Sequence, residues 1–148
     1  MRQLIYSMHF HGRSSSITDD RRTIKTTTTA TSCTLRTTIG ADGVEGRHEA
    51  IAGELAFLES EIHLTGPERF SEKGVITFGE NHQLRFSTME DGHLAPSACP
   101  QTVAGAATWK VEGGEGQFVE ATGLITSNFT LSESGEMNDY HFGVIFVP

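Results

Sequence analysis

The chain has 148 residues, 36% of them hydrophobic and 20% charged, which suits one globular domain over residues 1–148 with a core of its own. A net charge of −8, with one basic pair (Arg21-Arg22) directly behind Asp19-Asp20, argues against a phosphate-binding surface and so against nucleic-acid partners. No stretch approaches the roughly 18 apolar residues of a membrane span, and the first residues lack the apolar core of a secretory signal, so the expectation is a cytoplasmic protein without a membrane partner.

Leu4 to Phe10 alternates, with Leu4, Tyr6, Met8 and Phe10 on one face and Ile5, Ser7, His9 and His11 on the other, as a half-buried strand does. Thr23 to Ile39 is rich in Thr, whose branched Cβ favours extended backbone, and Gly40-Ala-Asp-Gly43 closes it as a turn. Arg47 to Glu61 contains the best helical window, but Ala52-Gly53 interrupts it and Leu55 onward alternates, so a strand over Glu54 to Thr65 is favoured. Gly66-Pro67 breaks the chain. Gly74 to Phe78 and Gln83 to Met89 then read as a hairpin pair around Gly79-Glu-Asn-His82.

Asp91 to Gln101, with Pro96 and Pro100, reads as the longest irregular loop. Ala104 to Glu112, Phe118 to Leu131 and Met137 to Val147 are the last three strands, separated by Gly113-Gly114-Glu115-Gly116 and Ser132-Glu-Ser-Gly135. The expected fold is all-β: one closed antiparallel β-barrel of about eight strands. Pairing the first strand with the last would remove both sheet edges.

The run Gly114-Glu-Gly-Gln-Phe118-Val-Glu-Ala121-Thr-Gly123, leading into Leu124-Ile-Thr-Ser-Asn-Phe129, resembles a hairpin of allene-oxide-cyclase-like and dirigent-like (calycin-type) barrels. The segment order, ending in Asp139-Tyr-His-Phe-Gly-Val-Ile-Phe146, is also similar to a group of small bacterial and fungal barrel proteins. The resemblance is strongest over Gly66 to Val147. It implies a barrel, cyclase or ligand-guiding roles, and assembly through outer walls; it carries over no catalytic residue.

Candidate chemistry begins on the third strand, where Leu55, Phe57, Glu59, Glu61 and His63 share a face. Turned inward, Glu59, Glu61 and His63 would form an acid/base group; the alternative is that the face with Ala56, Leu58 and Ile62 is core and the charges are solvated. On the last strand Tyr140, Phe142, Val144 and Phe146 read as core or as a cavity wall, with Trp109 on a similar apolar face, and Arg85 and Asn128 are possible anchors for a ligand oxygen. His9-x-His11 lacks the Glu that would follow in a cupin-like metal set, and Cys33 and Cys99 show no zinc spacing and read as two thiols. No metal or cofactor is therefore expected. Nor is a hydrolase, kinase or dinucleotide fingerprint present.

Three functions stay open. The barrel could bind a small apolar or amphipathic molecule in its lumen. It could be a cofactor-independent cyclase or isomerase using the same cavity. Or it could be a packed barrel acting as an oligomeric or protein-interaction module, with a homodimer or larger homo-oligomer expected.

Overall fold

The computed structural model describes residues 1–148. Nine antiparallel strands follow in chain order: β1 (Arg2–Ser16), β2 (Thr23–Gly40), β3 (Gly43–Gly66), β4 (Arg69–Phe78), β5 (His82–Thr88), β6 (Gly92–Pro96), β7 (Thr102–Glu115), β8 (Thr122–Ser132) and β9 (Glu136–Val147). They form one sheet in the order β3-β2-β1-β9-β8-β7-β5-β4-β6, and pairing of β3 with β4 carries the hydrogen bonds back into a ring. The first and last strands pair along their length, from Arg2 opposite Val147 to Arg13 opposite Glu136. No helix is long and apolar enough to cross a membrane.

The helical window at Arg47 to Glu61 is strand throughout, because β3 pairs with β2 on both sides of an irregularity at Ile51–Glu54. The expected loop over Asp91 to Gln101 is half strand. β5 pairs with β4 as far as Lys73–Ser87, and β6 resumes against the same neighbour at Phe70–Gly92. On the other side both lie along β7, β5 up to Thr88–Trp109 and β6 from His93–Ala106. The two are thus one wall position interrupted at Met89–Asp91, and nine strands occupy eight places round the ring. Pro96 is tolerated because it ends the short second piece.

Inward parity follows burial. Phe10, Leu58, Ile62, Phe70, Ile76, Leu84, Phe86, Trp109, Val111, Ile125, Phe129, Met137 and Ile145 fill the ring. Phe86 stacks on Trp109 with ring centroids 3.8 Å apart, and Phe70 meets Phe129 edge-on at 5.6 Å. Burying a large side chain contributes roughly 1.5–3 kcal/mol, so this filling supplies the bulk of the driving force. Phe118 closes one end. It is buried in a 3-10 turn, Gly116–Phe118, against Phe78, and Gly116 makes that turn at φ +64, where a Cβ would strike Asn81 and His82.

β2 and β3 outrun the ring. After a register shift between Thr31 and Cys33 they continue as a two-stranded arm to the turn at Gly40–Gly43. Gly53, at φ +155, crosses close to Ser32 there, and Ser32 Oγ donates to the Glu54 carbonyl.

Candidate functional site

The third-strand face bearing Glu59, Glu61 and His63 points outward. Ala56, Leu58, Ser60 and Ile62 are buried instead, so the solvated alternative holds. Glu59 and Glu61 lie with Arg85 in a surface groove of about 500 Å³ across β3, β4 and β5, and His63 lies in a neighbouring one, its Nδ1 3.1 Å from Thr23 Oγ1.

The last strand also turns opposite to the reading by hydrophobicity. Tyr140, Phe142 and Phe146 are on the outer wall, while Asp139, His141, Ile145 and Val147 face inward. Both faces of β9 are apolar enough to be core. The decision falls to neighbouring strands: Ile125 on β8 and Phe10 on β1 fix which side of β9 is inside. His9 stacks on Tyr140 outside, and His11 Nε2 is 3.1 Å from Glu136 Oε1. Cys33 and Cys99 are free thiols.

Inside the ring is a polar belt that the sequence reading did not single out. Ser60 on β3 donates to Glu72 Oε2 on β4 at 2.6 Å, and Ser127 on β8 donates to Asp139 Oδ1 on β9 at 2.7 Å. His141, two residues along β9 on the same face, has Nε2 2.9 Å from Asp139 Oδ2 and Nδ1 3.0 Å from the Tyr6 hydroxyl. Trp109 meets the His141 ring edge-on at 4.7 Å, and Phe10 tilts over it at 4.8 Å. Glu72, Asp139, His141, Ser60 and Ser127 are all buried.

This environment sets the proton inventory. Burial, then the Asp139 carboxylate, pushes the Glu72 acid from 4.5 up to about 8, against the opposing pull of the Ser60 hydroxyl that donates to it and of the Trp109 indole N–H, which lies near without a directed bond. At neutral pH Glu72 is therefore mostly a protonated acid, able to donate. Burial, then Asp139 and Cys33, holds the Tyr6 phenol well above its usual value. Tyr6 consequently keeps its proton, and its hydroxyl shares one hydrogen bond with His141 Nδ1 whose direction follows the tautomer of the ring. The Nε2–Oδ2 approach is close but off the N–H axis, so it is an electrostatic contact without a directed hydrogen bond.

Three further atoms have no directed partner: Glu72 Oε1, Trp109 Nε1 and Thr28 Oγ1. Unsatisfied buried polar atoms cost about 1–3 kcal/mol each. Glu72, Trp109 and His141 bring their unsatisfied atoms to one neighbourhood, since Trp109 contacts His141 and acts on the Glu72 charge.

The belt sits level with the break in the wall. Thr88, the last residue of β5, pairs with Trp109 and its Oγ1 accepts from the Glu72 backbone N–H; Met89 N–H donates to the Thr108 carbonyl. Outside the break is a groove of about 480 Å³, within the size range of small-molecule sites. Met89, Asp91, His93 and Asn128 line it together with Ala107 and Ser127, and Ser127 is the donor to Asp139. Of the ligand-binding expectations, Asn128 thus lines the groove and Trp109 belongs to the belt. Arg85, Tyr140 and Phe142 lie elsewhere on the surface.

The belt left a trace in the sequence. Glu72 shares its parity with Phe70, Ile76 and Phe78, and Asp139 shares its own with Met137, Ile145 and Val147. A carboxylate on an otherwise apolar parity is the signal that marks it. Comparison with models of known protein families, with curated proteins and with solved structures finds no match for this chain.

Proposed function

We propose that the ring is a closed eight-position β-barrel that binds a small amphipathic molecule at the β5–β6 break, with its polar end directed to the Ser127–Asp139–Glu72 belt. One observation carries this reading: buried ionisable groups with unsatisfied polar atoms lie directly behind the one interruption in a wall position. Burying Glu72, Asp139 and His141 together works against stability, which makes perturbed, buried groups beside a groove the natural place to look for a site. The interior is otherwise filled by Phe10, Phe86, Trp109 and their neighbours, so the ligand seats in the groove and only its polar group meets the belt.

A second reading, a cofactor-independent isomerase or cyclase on the same site, is favoured by the Glu72 acid near pH 8 beside the Asp139 carboxylate. One group can give a proton and the other can take one, as such reactions require. The resemblance of Gly114–Gly123 to cyclase and dirigent-like barrels adds support for both readings.

The test is displacement of an environment-sensitive fluorophore by a panel of fatty acids, terpenoids and polyketide-like compounds. Saturable, selective displacement is expected, and Ala106→Trp, an exposed position on the outer face of β7 that lines the groove, is expected to abolish it. Displacement that survives Ala106→Trp would place binding elsewhere and end this reading. Turnover lost in Glu72→Gln with binding retained would separate the enzyme from the binder.

A further inference from the structure

The arm formed by β2 and β3 beyond the ring has two unlike faces. Cross-strand pairing puts Cys33 opposite Ala50, Leu35 opposite His48, Thr37 opposite Gly46 and Ile39 opposite Val44 on one face. Arg36, Arg47, Glu45 and Glu49 lie on the other, with Arg47 Nε 2.9 Å from Glu49 Oε1. One face is apolar and the other an ion-pair lattice. A ribbon solvated on both sides gains nothing from that segregation, and an isolated two-stranded ribbon is only marginally stable in water.

At its root the apolar face leans on the ring's own outer wall. His48 Nε2 is 3.0 Å from Ser7 Oγ, the His48 ring lies 5.8 Å from Tyr140, and Cys33 Sγ reaches the Ser7 carbonyl at 3.5 Å. Toward the tip the cover is lost: Leu35 is half exposed, Val44 is 69% exposed and Ile39 84%. The wall beside the root is apolar as well. Ile5 on β1 and Phe142 and Phe146 on β9 lie outward there, with Ser7 paired to Phe142 and Ile5 to Val144. Arm and wall thus make a cleft that is closed at the root and open at the tip.

We infer that this cleft is a self-association surface, in which the arm of one copy seats on the outer wall of a second copy, and the reverse, about a two-fold axis. Three features select a second copy of this chain. The six side chains Ile5, Leu35, Ile39, Val44, Phe142 and Phe146 expose on the order of 600 Å² in total, of the same order as the ~800 Å² per partner of a standard interface. The arm, nine residues from Ser32 to Gly40, reaches about 25 Å, enough to cross three strands spaced about 4.8 Å apart. The surface is also self-complementary, because arm and wall are both apolar and both belong to the same chain, which is what an isologous contact needs. The outward charged face of the arm then stays in water.

Sedimentation velocity of the full chain over a wide concentration range reads the outcome. A species of twice the 16.1 kDa chain mass is expected. Ile39→Lys with Val44→Lys on the arm, and Phe142→Glu on the wall, should each weaken association roughly thirtyfold or more, the size of a hot-spot loss. Circular dichroism of each variant should match the parent. Mixing the two variants is the sharper test. In the mixed dimer one arm–wall contact is wholly native and the other sets Lys against Glu, so association should exceed that of either variant alone. A monomer at all concentrations, or a dimer indifferent to the arm substitutions, overturns the inference. So does a mixture no stronger than its components. If Phe142→Glu fails to fold, the solvent-exposed arm variant decides alone.

Discussion

Replacing Glu72 with Gln isolates the energetic consequence of the buried acid. Gln keeps the shape, and its carbonyl oxygen can still accept the 2.6 Å bond from Ser60, but it has no proton to lose. Below about pH 4.5 Glu72 is protonated in both folded and unfolded chains and contributes no pH dependence. Between 4.5 and about 8 the unfolded chain releases that proton and the folded chain retains it, so the native state binds the extra proton and stability falls as pH rises. The slope is about 1.4 kcal/mol per pH unit, and the total is on the order of 5 kcal/mol, a large part of the 5–15 kcal/mol of a typical domain. Above about pH 8 the curve flattens. Urea unfolding followed by the fluorescence of Trp109, the only tryptophan, gives the stability of both proteins from about pH 5 to pH 8.5. The other titrating groups are common to both and cancel in the difference. Parent and variant should nearly coincide at the acid end, with the variant gaining several kcal/mol by the alkaline end. Parallel curves would show that Glu72 titrates alike in both states and that the belt does not hold a protonated acid.

Other expectations concern the wall, the outer grooves and the arm. A Cβ at Gly12 would lie 2.8 Å from the Thr28 Cα, and paired backbone cannot yield, so Gly12→Ala should cost about 1–3 kcal/mol, read as a lower melting temperature. Glu59→Gln, Glu61→Gln and His63→Gln should each change stability by no more than about 0.5 kcal/mol and leave ligand displacement unchanged; loss of displacement in any of them would return the site to the outer face of β3. Burial, then His9, holds His48 below its ordinary 6.5, so the folded state resists its protonation and the arm's root contact weakens as pH falls below that value. Amide exchange over residues 33–50, corrected for its intrinsic pH dependence, should accelerate on acidification in the parent and stay level in His48→Gln.

The fold was more legible than the site because the two rest on different signals. Thr-rich and alternating segments bounded by Gly turns report strands locally, and the strand character of both chain ends pointed to the β1–β9 pairing. The segment of β6 reads as loop in the sequence because Pro96 and Pro100 dominate Asp91 to Gln101, whereas pairing to β4 and β7 on both sides outweighs one proline at a strand end. Facing was harder. On β3 the two faces differ strongly in charge, and ordinary amphipathic patterning gives the observed orientation. On β9 both faces are apolar, and Tyr140, Phe142 and Phe146 outweigh Ile145 and Val147 by hydrophobicity alone. Orientation there depends on Phe10 and Ile125, more than a hundred residues and twenty residues away in sequence. Once β9 is turned, Asp139 and His141 move inside and the belt exists. The aromatics left outside become the wall that the arm faces.

The contrast between the belt and the outer grooves is one of dielectric. Glu59, Glu61, Lys25, Lys73 and Arg85 share an outer groove, yet water and salt screen them, and exposed pairs of that kind contribute about 0–1 kcal/mol. Glu72, Asp139 and His141 lie where water is excluded, so burial, with Asp139 adding to it, lifts the Glu72 acid from 4.5 to about 8. A filled apolar ring needs none of them. Glu72→Met would remove a buried acid with an unsatisfied oxygen and leave Ser60 as the only polar group needing a new partner, a change expected to be neutral or stabilising at neutral pH. A more stable Glu72→Met protein that loses ligand displacement would therefore separate what the belt costs the fold from what it does for the site; a less stable one would make the belt part of the core.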